Sequence, residues 1–339
     1  MPESHDRQAL KQLALDYCEA LAAADPDRVQ SVLDAHTAPG YHCYAVHPFG
    51  RMDGTAAVAE TLWRPLKRDW TSLQRRPFMF MAGTSEIDQT DWVISAGVFM
   101  GLLDGDWLGI PATGRLTTLR FAEFIGFDDG RISRSAFFCD VVDVMQQVGV
   151  NPLPESLGAT HIFPPPLTQD GLLLGPHPEE QGAQTLALID RMVDDLSAIN
   201  ADDKLECPPE YLLRTWRDDM AWYGPAGIGA TYTVERYQKQ HQYPFRTGVK
   251  SKQFNGHICR LAEGNYGGFF GWPNLKHVPV GGFLGLPGGQ QQVEMRVVDL
   301  YRREDDKLAE NWIIIDLPWW LKQQGLDVFE RLRQLRPQA

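Results

Sequence analysis

Long apolar runs are missing from this sequence of 339 residues: no stretch approaches the roughly 18 apolar residues that a membrane-spanning helix needs. Positive charge is also scarce, since 32 lysines and arginines stand against 44 aspartates and glutamates, for a formal net charge of −12. An acidic chain is repelled by nucleic-acid phosphates and by anionic lipids. We therefore expect no nucleic acid and no membrane as partners. The polar N-terminus lacks an apolar signal region and favours a cytoplasmic location.

Motifs for cofactor or metal chemistry are missing as well. The five cysteines include no CxxC pair, which is typical of reduced, buried thiols. There is no P-loop, no HExxH and no GxSxG, and the glycine-rich stretch 224–229 lacks the GxGxxG order. His42 and His47 are spaced like a metal-binding pair, but no third ligand accompanies them. The sequence therefore predicts no cofactor and no metal.

What the sequence does contain is an internal duplication. Residues 105–149 align with residues 281–325 without a gap, and nine of the 45 pairs are identical, where chance would give about three. Two domains also suit the length of the chain. The identical pairs are Gly105/Gly281, Leu108/Leu284, Gly109/Gly285, Pro111/Pro287, Arg120/Arg296, Asp129/Asp305, Asp140/Asp316, Gln147/Gln323 and Gly149/Gly325.

Both halves also show the same order of structural elements. Helical periodicity in Leu10–Ala23 and in Leu186–Leu196 is followed, in each half, by strand patterns joined by an aspartate-rich turn. Helices first and antiparallel strands later are typical of an α+β domain. Between the halves, residues 151–182 carry seven prolines and little periodicity. We predict a first domain over residues 1–150, a proline-rich linker over 151–182 and a second domain over 183–339.

The most recognisable residues lie in the later part of each half. The first half contains Trp107–Arg115 (WLGIPATGR), Asp129–Ile132, Asp140 and Gln146–Gly149, and the second half contains a weaker copy in Phe283–Pro287, Asp316 and Gln323–Gly325. This pattern resembles the C-terminal half of a SnoaL-like domain, a family of small polyketide cyclases in the nuclear transport factor 2-like superfamily. His47-Pro48 also resembles the stretch before the third helix of that family.

The resemblance implies a fold and a range of functions. Each half is expected to be a cone, in which a strongly curved antiparallel sheet wraps around N-terminal helices and leaves an apolar cavity open at one end. Proteins of this fold include cyclases, isomerases, hydratases and non-catalytic binders. Since such domains often dimerise through their sheets, the two halves are expected to form a pseudo-dimer. Association of two chains into a homodimer is the other arrangement that the resemblance allows. The expected partner is an apolar small molecule.

One departure from the family pattern bears on mechanism. The resemblance implies a general acid/base aspartate three residues before a second, shared aspartate, but this sequence has Phe137 and Ile313 at that position. The shared aspartates are present as Asp140 and Asp316. Each precedes an apparent helix, where aspartate is a natural N-cap. A buried carboxylate in that place could instead act as a general base, and both interpretations stay open.

Charged residues at matching positions of the two copies supply further candidates. Arg120 matches Arg296, and Glu123 matches Asp299 in charge. Residues three apart on a strand point to opposite faces, so Arg120 and Glu123 do not pair with each other, and one of them should face the cone interior. Glu123 and Asp299 are therefore interpreted either as proton-transfer groups with perturbed pKa values or as members of structural ion pairs.

Two more candidates precede the third helix of each half. His47 lies near the expected cavity entrance, and Tyr223 aligns with the same place in the second half; both residue types can move protons. The candidates together predict a cofactor-independent acid/base enzyme of the cyclase or isomerase type that acts on an apolar, carbonyl-bearing small molecule. The alternative is a non-catalytic small-molecule binder with the same cavities. The candidate residues are Asp140, His47, Glu123, Asp316, Tyr223 and Asp299.

Overall fold

The computed structural model describes residues 4–201 and 207–335. Two π-helical turns, Ala59–Trp63 and Gln238–Gln242, connect α3 to α4 and α8 to α9, and short 3-10 turns lie at Pro26–Arg28 and Phe283–Gly285. The helices are α1 (Ser4–Ala23), α2 (Val29–His36), α3 (Thr55–Val58), α4 (Arg64–Asp69), α5 (Val141–Gln147), α6 (Glu179–Ala201), α7 (Pro209–Leu212), α8 (Val234–Tyr237), α9 (Tyr243–Gly248), α10 (Leu317–Lys322) and α11 (Val328–Leu335).

The strands form two sheets, one in each half of the chain. The first sheet has the order β2-β1-β6-β5-β4-β3, and the second has the order β8-β7-β13-β12-β11, with β9 and β10 pairing with β11 on the side away from β12. The strands are β1 (Thr37–Ala45), β2 (Arg51–Asp53), β3 (Trp70–Thr84), β4 (Asp91–Leu103), β5 (Leu116–Asp128), β6 (Arg131–Cys139), β7 (Trp216–Tyr223), β8 (Thr231–Tyr232), β9 (Val249–Phe254), β10 (Cys259–Glu263), β11 (Tyr266–Pro279), β12 (Val293–Glu304) and β13 (Lys307–Ile315).

The two sheets share one topology, because β9 and β10 together take the place that the long strand β3 has in the first half. The predicted α+β class with two curved sheets is confirmed. One detail differs from the expected antiparallel sheet. Strand β1 pairs with β6 in parallel, and β7 pairs with β13 in parallel, while the other strand pairs are antiparallel.

Strand registers correct one alignment made from the sequence. Tyr44 pairs with Ala136, and Tyr223 pairs with Trp312, at the matching position of the second sheet. Tyr223 is therefore the counterpart of Tyr44, not of His47. The counterpart of His47 is Ala226, because residues 42–53 match residues 221–232 at an offset of 179 rather than 176. The offset between the two halves changes from 179 to 176 further along the chain. The turn before β11 is shorter than the turn before β4, and β11 contains a bulge that β4 lacks.

Long amphipathic helices cover the concave face of each sheet. Helix α1 buries Ala14, Tyr17 and Leu21, which are spaced three to four residues apart along one stripe. In the second half, α6 buries Leu188, Ile189 and Met192 in the same manner and contacts β10, β11 and β9. Each helix thus supplies one wall of a space that the curved sheet encloses.

The two halves pack against each other through the convex faces of their sheets. Phe270 of β11 lies among aromatic rings of the first sheet, with ring centroids 5.7 Å from Trp92, 4.8 Å from Phe124 and 6.1 Å from Phe138. Tyr44 packs 5.1 Å from Trp272 at the same contact. Burial of these rings removes a large apolar area from water, so the contact contributes substantially to stability.

The proline-rich segment between the halves is hydrogen-bonded to the two sheets at two places. The backbones of Gly171 and Leu173 hydrogen-bond to that of Phe80 in β3, so the segment adds one short parallel pairing to the sheet edge. Further upstream, the Trp312 indole donates to the Pro164 carbonyl over 2.8 Å. Phe163 packs against Phe78. The segment therefore lies against both halves of the chain.

Candidate functional site

Asp140 lies at the contact between the two halves, immediately before α5. One carboxylate oxygen accepts the backbone N–H of Asp143 over 3.0 Å, which is an N-cap of α5. The other oxygen accepts the backbone N–H of Ala226 from the second half over 2.8 Å and lies 3.5 Å from Arg120. Arg120 also donates to the carbonyl of Gly224. The carboxyl group is fully engaged and joins the two halves.

Asp316 has the mirror-image role before α10. Its carboxylate caps α10 by accepting the N–H of Trp319, accepts the backbone N–H of His47 from the first half over 3.0 Å, and pairs with Arg296 at 3.2 Å. Burial raises its pKa to about 6, while Arg296 and the backbone donors oppose the rise. Because His47 and Ala226 are counterparts, the two aspartates form reciprocal contacts across the domain boundary.

These contacts predict a structural phenotype for the shared aspartates. We expect Asp316→Ala and Asp140→Ala each to lower the free energy of unfolding by about 2 to 4 kcal/mol, because the helix cap and the backbone N–H from the other half both lose their buried acceptor. Urea unfolding at pH 7 measures the effect, and Asp306→Ala in an exposed turn is the matched control, expected within about 0.5 kcal/mol of the parent. An unchanged unfolding midpoint in both variants would contradict the capping role.

Glu123 faces the interior of the first cone, opposite in direction to Arg120, as their spacing predicts. Its carboxylate pairs with Arg75 at 2.7 Å, and the Arg75 guanidinium lies over the Phe121 ring at 4.4 Å. Trp63 and Phe99 fill the remaining space, and the residual cavity has a volume of about 20 Å³. The first cone is therefore closed to any organic ligand, and Glu123 belongs to a buried ion pair.

The second cone is open. It encloses a cavity of about 380 Å³, within the range typical of small-molecule sites. Helix α6, the π-helical turn 238–242 and the concave faces of β7, β9, β11, β12 and β13 form its walls. The residues with polar side chain atoms in this lining include Asp299, Tyr301, Asn311, His241, Gln242, His257, Asn274, Lys252 and Trp216, and the apolar ones include Met192, Leu196, Trp222, Phe245, Phe269, Met295 and Ile313.

Substitutions at matching positions explain why only one of these two cones has a large cavity. Arg75 pairs with Phe99, and Phe254 pairs with Leu275, at equivalent points of the two sheets, so the arginine that fills the first cone is replaced by Phe254 in the second. Trp63 is likewise replaced by Gln242, since the two π-helical turns match at an offset of 179.

A bulge in β11 widens the second cone further. Phe99 lies four positions after Ser95 in β4, but Leu275 lies six positions after Phe269 along the same length of neighbouring strand. The two additional residues lie in the bulge that contains Asn274, whose side chain lines the cavity.

Asp299 is the one aspartate or glutamate in the described lining of this cavity. It is 9% exposed, and its carboxylate accepts hydrogen bonds from the Asn311 amide at 3.1 Å and from the Tyr301 hydroxyl. Unlike Glu123, it has no ion-pair partner within residues 4–201 and 207–335. Burial raises the pKa of Asp299 to about 7, and the two hydrogen bonds oppose the rise. The group can thus hold or release a proton near neutral pH.

Two histidines that sequence reasoning did not assign to a site also line the cavity. His257 stacks face to face on Phe269 at 3.8 Å, and His241 stacks on Trp222 at 4.3 Å. Burial lowers the pKa of each to about 3, so both are neutral at physiological pH. The Nδ1 atoms of both, with the indole nitrogen of Trp216 and the amide oxygen of Asn274, are buried without a hydrogen-bond partner in the described residues. Each such atom requires an explanation, and a ligand in the cavity is one.

The remaining predicted candidates lie outside the cavity. Tyr223 is on the convex face of the second sheet, where its hydroxyl donates to Glu310 over 3.0 Å, and burial raises its pKa well above the usual value. His47 is half-buried near Trp319 and Lys322 at the domain contact, and burial lowers its pKa to about 4. Of the six candidates, the structure places only Asp299 in the cavity of the second cone, and Tyr223 lines a separate pocket of about 420 Å³.

Within residues 4–201 and 207–335, no three His, Cys, Asp or Glu side chains are grouped so that they could hold a metal ion. No helix in the described part of the chain is long and apolar enough to cross a membrane.

The difference between the two cones predicts the effect of introducing an arginine at position 254, the counterpart of Arg75. We expect Phe254→Arg to place a guanidinium beside Asp299, as Arg75 lies beside Glu123, and to lower the carboxyl pKa of Asp299 by about one to three pH units. Carbon NMR titration of the aspartate carboxyl carbons measures this value. The control Phe254→Leu adds no charge and should leave it near 7. An unchanged pKa of Asp299 in Phe254→Arg would show that positions 75 and 254 are not equivalent in the two cones.

Fold and cavity together define an α+β protein of two cones, the second of which encloses a cavity. Residues 17–148 match the family model described as SnoaL-like polyketide cyclase, so the first half of the chain is similar to that family, in line with the resemblance in its sequence. The second half repeats its topology. No curated protein has a significant sequence match to the chain.

Several solved structures are similar to parts of the chain. A candidate SnoaL-like polyketide cyclase from Jannaschia sp. CCS1 is 18% identical and covers 44% of this chain and 96% of its own, with a TM-score of 0.35. A candidate polyketide cyclase from Xanthomonas campestris pv. campestris is 23% identical and covers 42% of this chain and 98% of its own, with a TM-score of 0.34. Another from Acidithiobacillus ferrooxidans is 18% identical, covering 41% and 94%, with a TM-score of 0.33.

Proposed function

We propose that the second half of the chain is a cofactor-independent acid/base catalyst of the cyclase or isomerase type, acting on an apolar, carbonyl-bearing small molecule. The observation that carries this proposal is Asp299, a buried carboxyl group without an ion-pair partner in the described residues, in a largely apolar cavity of about 380 Å³. A general base is most effective when its pKa lies near the operating pH. The value of about 7 meets that condition.

The location of Asp299 supports this role in a second way. Ile313 occupies the position where the family resemblance implies the acid/base aspartate, and Asp299 lies directly across from it on the neighbouring strand. Directly opposed residues of an antiparallel pair project from the same face with Cβ atoms about 5 Å apart. A carboxyl group on either strand therefore reaches the same part of the cavity, and we propose that the proton-transfer group has moved from the β13 position to β12.

We propose that the first half has a supporting role and that the halves act as a pseudo-dimer. Glu123 lies across from Phe137 as Asp299 lies across from Ile313, but Arg75 neutralises it and aromatic rings fill the space. The reciprocal contacts of Asp140 and Asp316 support a fixed pairing of the two cones. In this proposal the chain has one reaction site and one scaffold.

The alternative is a non-catalytic binder of apolar small molecules. Ile313 favours it, since the group that the resemblance implies as proton carrier is apolar here and lines the cavity. The two functions differ in whether a bound carbonyl compound exchanges the protons of its neighbouring carbon.

The test uses α-tetralone, a bicyclic ketone, as a probe. Wild-type protein in D2O should accelerate deuterium uptake at the CH2 beside the carbonyl, followed by proton NMR, and the rate should rise with pH to a plateau with a midpoint near 7, where Asp299 becomes ionised. Binding of α-tetralone without any acceleration would support the binder and overturn the catalytic proposal.

A further inference from the structure

His241 is a buried polar residue that the fold does not explain. It lies in the π-helical turn Gln238–Gln242, is 8% exposed and lines the cavity of the second cone. Its ring is stacked between those of Trp222 and Phe245, at 4.3 and 5.8 Å. The Nδ1 atom has no hydrogen-bond partner in the described residues. Burying an unpaired imidazole nitrogen is unfavourable, so packing alone does not explain a histidine at this position.

The first half provides an internal comparison for this position. At the offset of 179 that relates the two π-helical turns, the counterpart of His241 is Leu62, which is fully buried in the first core. The same backbone is therefore built with an aliphatic side chain at this point. A histidine is present only in the half whose cavity is open and contains an unpaired carboxyl group.

The protonation state of His241 limits what it can do. Burial lowers its pKa to about 3, so the ring is neutral and cannot serve as a cationic acid. A neutral imidazole still carries one N–H, which can donate a hydrogen bond to an oxygen atom. Its stacked ring is held in one orientation, and a fixed donor in an apolar site is more effective than one in water.

We propose that His241 is a catalytic residue that binds the carbonyl oxygen of the substrate through an imidazole N–H while Asp299 moves the proton. This inference rests on the proposed function of the cavity. The Asp299 carboxylate takes a proton from the carbon beside the carbonyl, the electrons of that C–H bond form a C=C bond, and the carbonyl π electrons move to the oxygen. The enolate oxygen accepts the hydrogen bond from His241. The proton returns from Asp299 to carbon, so no oxidant or co-reactant is needed.

The experiment compares His241→Leu, the residue of the first half, with His241→Gln, which retains an N–H donor. Binding of α-tetralone and of tetralin, its hydrocarbon analogue, is measured first. We expect the wild type to bind α-tetralone about 3- to 10-fold more tightly than tetralin, and His241→Leu to lose this preference while its tetralin affinity is unchanged. Deuterium exchange should fall about 100- to 1,000-fold in His241→Leu, with partial recovery in His241→Gln.

The pH profile separates this role from a purely structural one. The residual exchange of His241→Leu should keep its midpoint near pH 7, because Asp299 is unchanged. Equal affinity of the wild type for ketone and hydrocarbon, or wild-type affinity and exchange in His241→Leu, would overturn the proposal. If the wild type shows no exchange but His241→Leu still loses the ketone preference, the acid/base function fails and His241 remains the carbonyl-binding group.

Discussion

Replacing Asp299 by asparagine should abolish proton transfer and leave ligand binding intact. The amide has nearly the same shape as the carboxylate and still meets Asn311 and Tyr301, but it cannot accept a proton. Loss of a positioned general base lowers rates by about 100- to 10,000-fold. Deuterium exchange into α-tetralone measures the rate, and equilibrium binding of the same probe shows whether the cavity is preserved.

The same substitution should raise stability at neutral and alkaline pH. The folded-state pKa of Asp299, about 7, lies above its unfolded value of 3.8, so the folded protein holds the proton more tightly. The associated stabilisation is complete below about pH 4 and is lost as pH rises through about 7. Asp299→Asn removes this dependence. We expect its free energy of unfolding at pH 8 to exceed that of the wild type by about 1 to 3 kcal/mol, and the difference to vanish at acidic pH.

Glu123→Gln is the matched control for this experiment. Glu123 has the corresponding position in the first cone, but its ion pair with Arg75 and the filled interior keep substrate away. Exchange per folded molecule should therefore equal that of the wild type, although the protein will be less stable. Loss of exchange in Glu123→Gln together with normal exchange in Asp299→Asn would assign the chemistry to the first half and overturn the model.

The sequence predicted the fold because the duplicated strands β5–β6 and β12–β13 have nearly equal length and similar turns. Alignment without a gap was possible there, and the resemblance to the family lies in the same region. Upstream the alignment was wrong by three residues, since the shorter turn before β11 and the bulge at Asn274 change the offset between the halves. Tyr223 was matched with His47 for this reason, although its counterpart is Tyr44.

The site was harder to predict than the fold. Periodicity indicated that Glu123 or Arg120 would face inward, but it could not show that Arg75 on another strand would neutralise Glu123 while Asp299 would have no such partner. The sequence left both interpretations of the shared aspartates open, as helix caps and as bases. The contact between the halves that engages them joins residues 269 and 86 positions apart, which local patterns do not reveal. A signal for His241 existed in the sequence: with the correct offset it replaces Leu62, and a histidine in place of a core leucine indicates a function.

Removing the charge of Lys11 should have the largest effect on stability of any single substitution considered. The Lys11 ammonium group is 2% exposed and donates to Glu263 over 2.6 Å and to the Gly175 carbonyl over 2.9 Å, while the other oxygen of Glu263 accepts the N–H of Ala82 over 2.8 Å. Helix α1, the linker, β3 and β10 thus meet at one ion pair. Lys11→Met leaves a carboxylate buried without its cation, which costs about 3 to 5 kcal/mol.

Urea unfolding at pH 7 measures this loss, and two further variants define its origin. Lys239→Met breaks an exposed pair with Glu235 on one helix and should change stability by less than about 0.5 kcal/mol. The double variant Lys11→Met/Glu263→Gln removes both charges, keeps an acceptor for Ala82 and should recover much of the lost stability.

The outcome bears on whether the two halves unfold as one unit. A loss of several kcal/mol with a single transition means that the ion pair couples the SnoaL-like first half to the half that holds the cavity, because Lys11 and Glu263 lie on opposite sides of that contact. Two separate transitions in the parent protein would show that the halves are stable independently. The open cone would then not need the closed one as a scaffold, and the supporting role proposed for the first half would have to be abandoned.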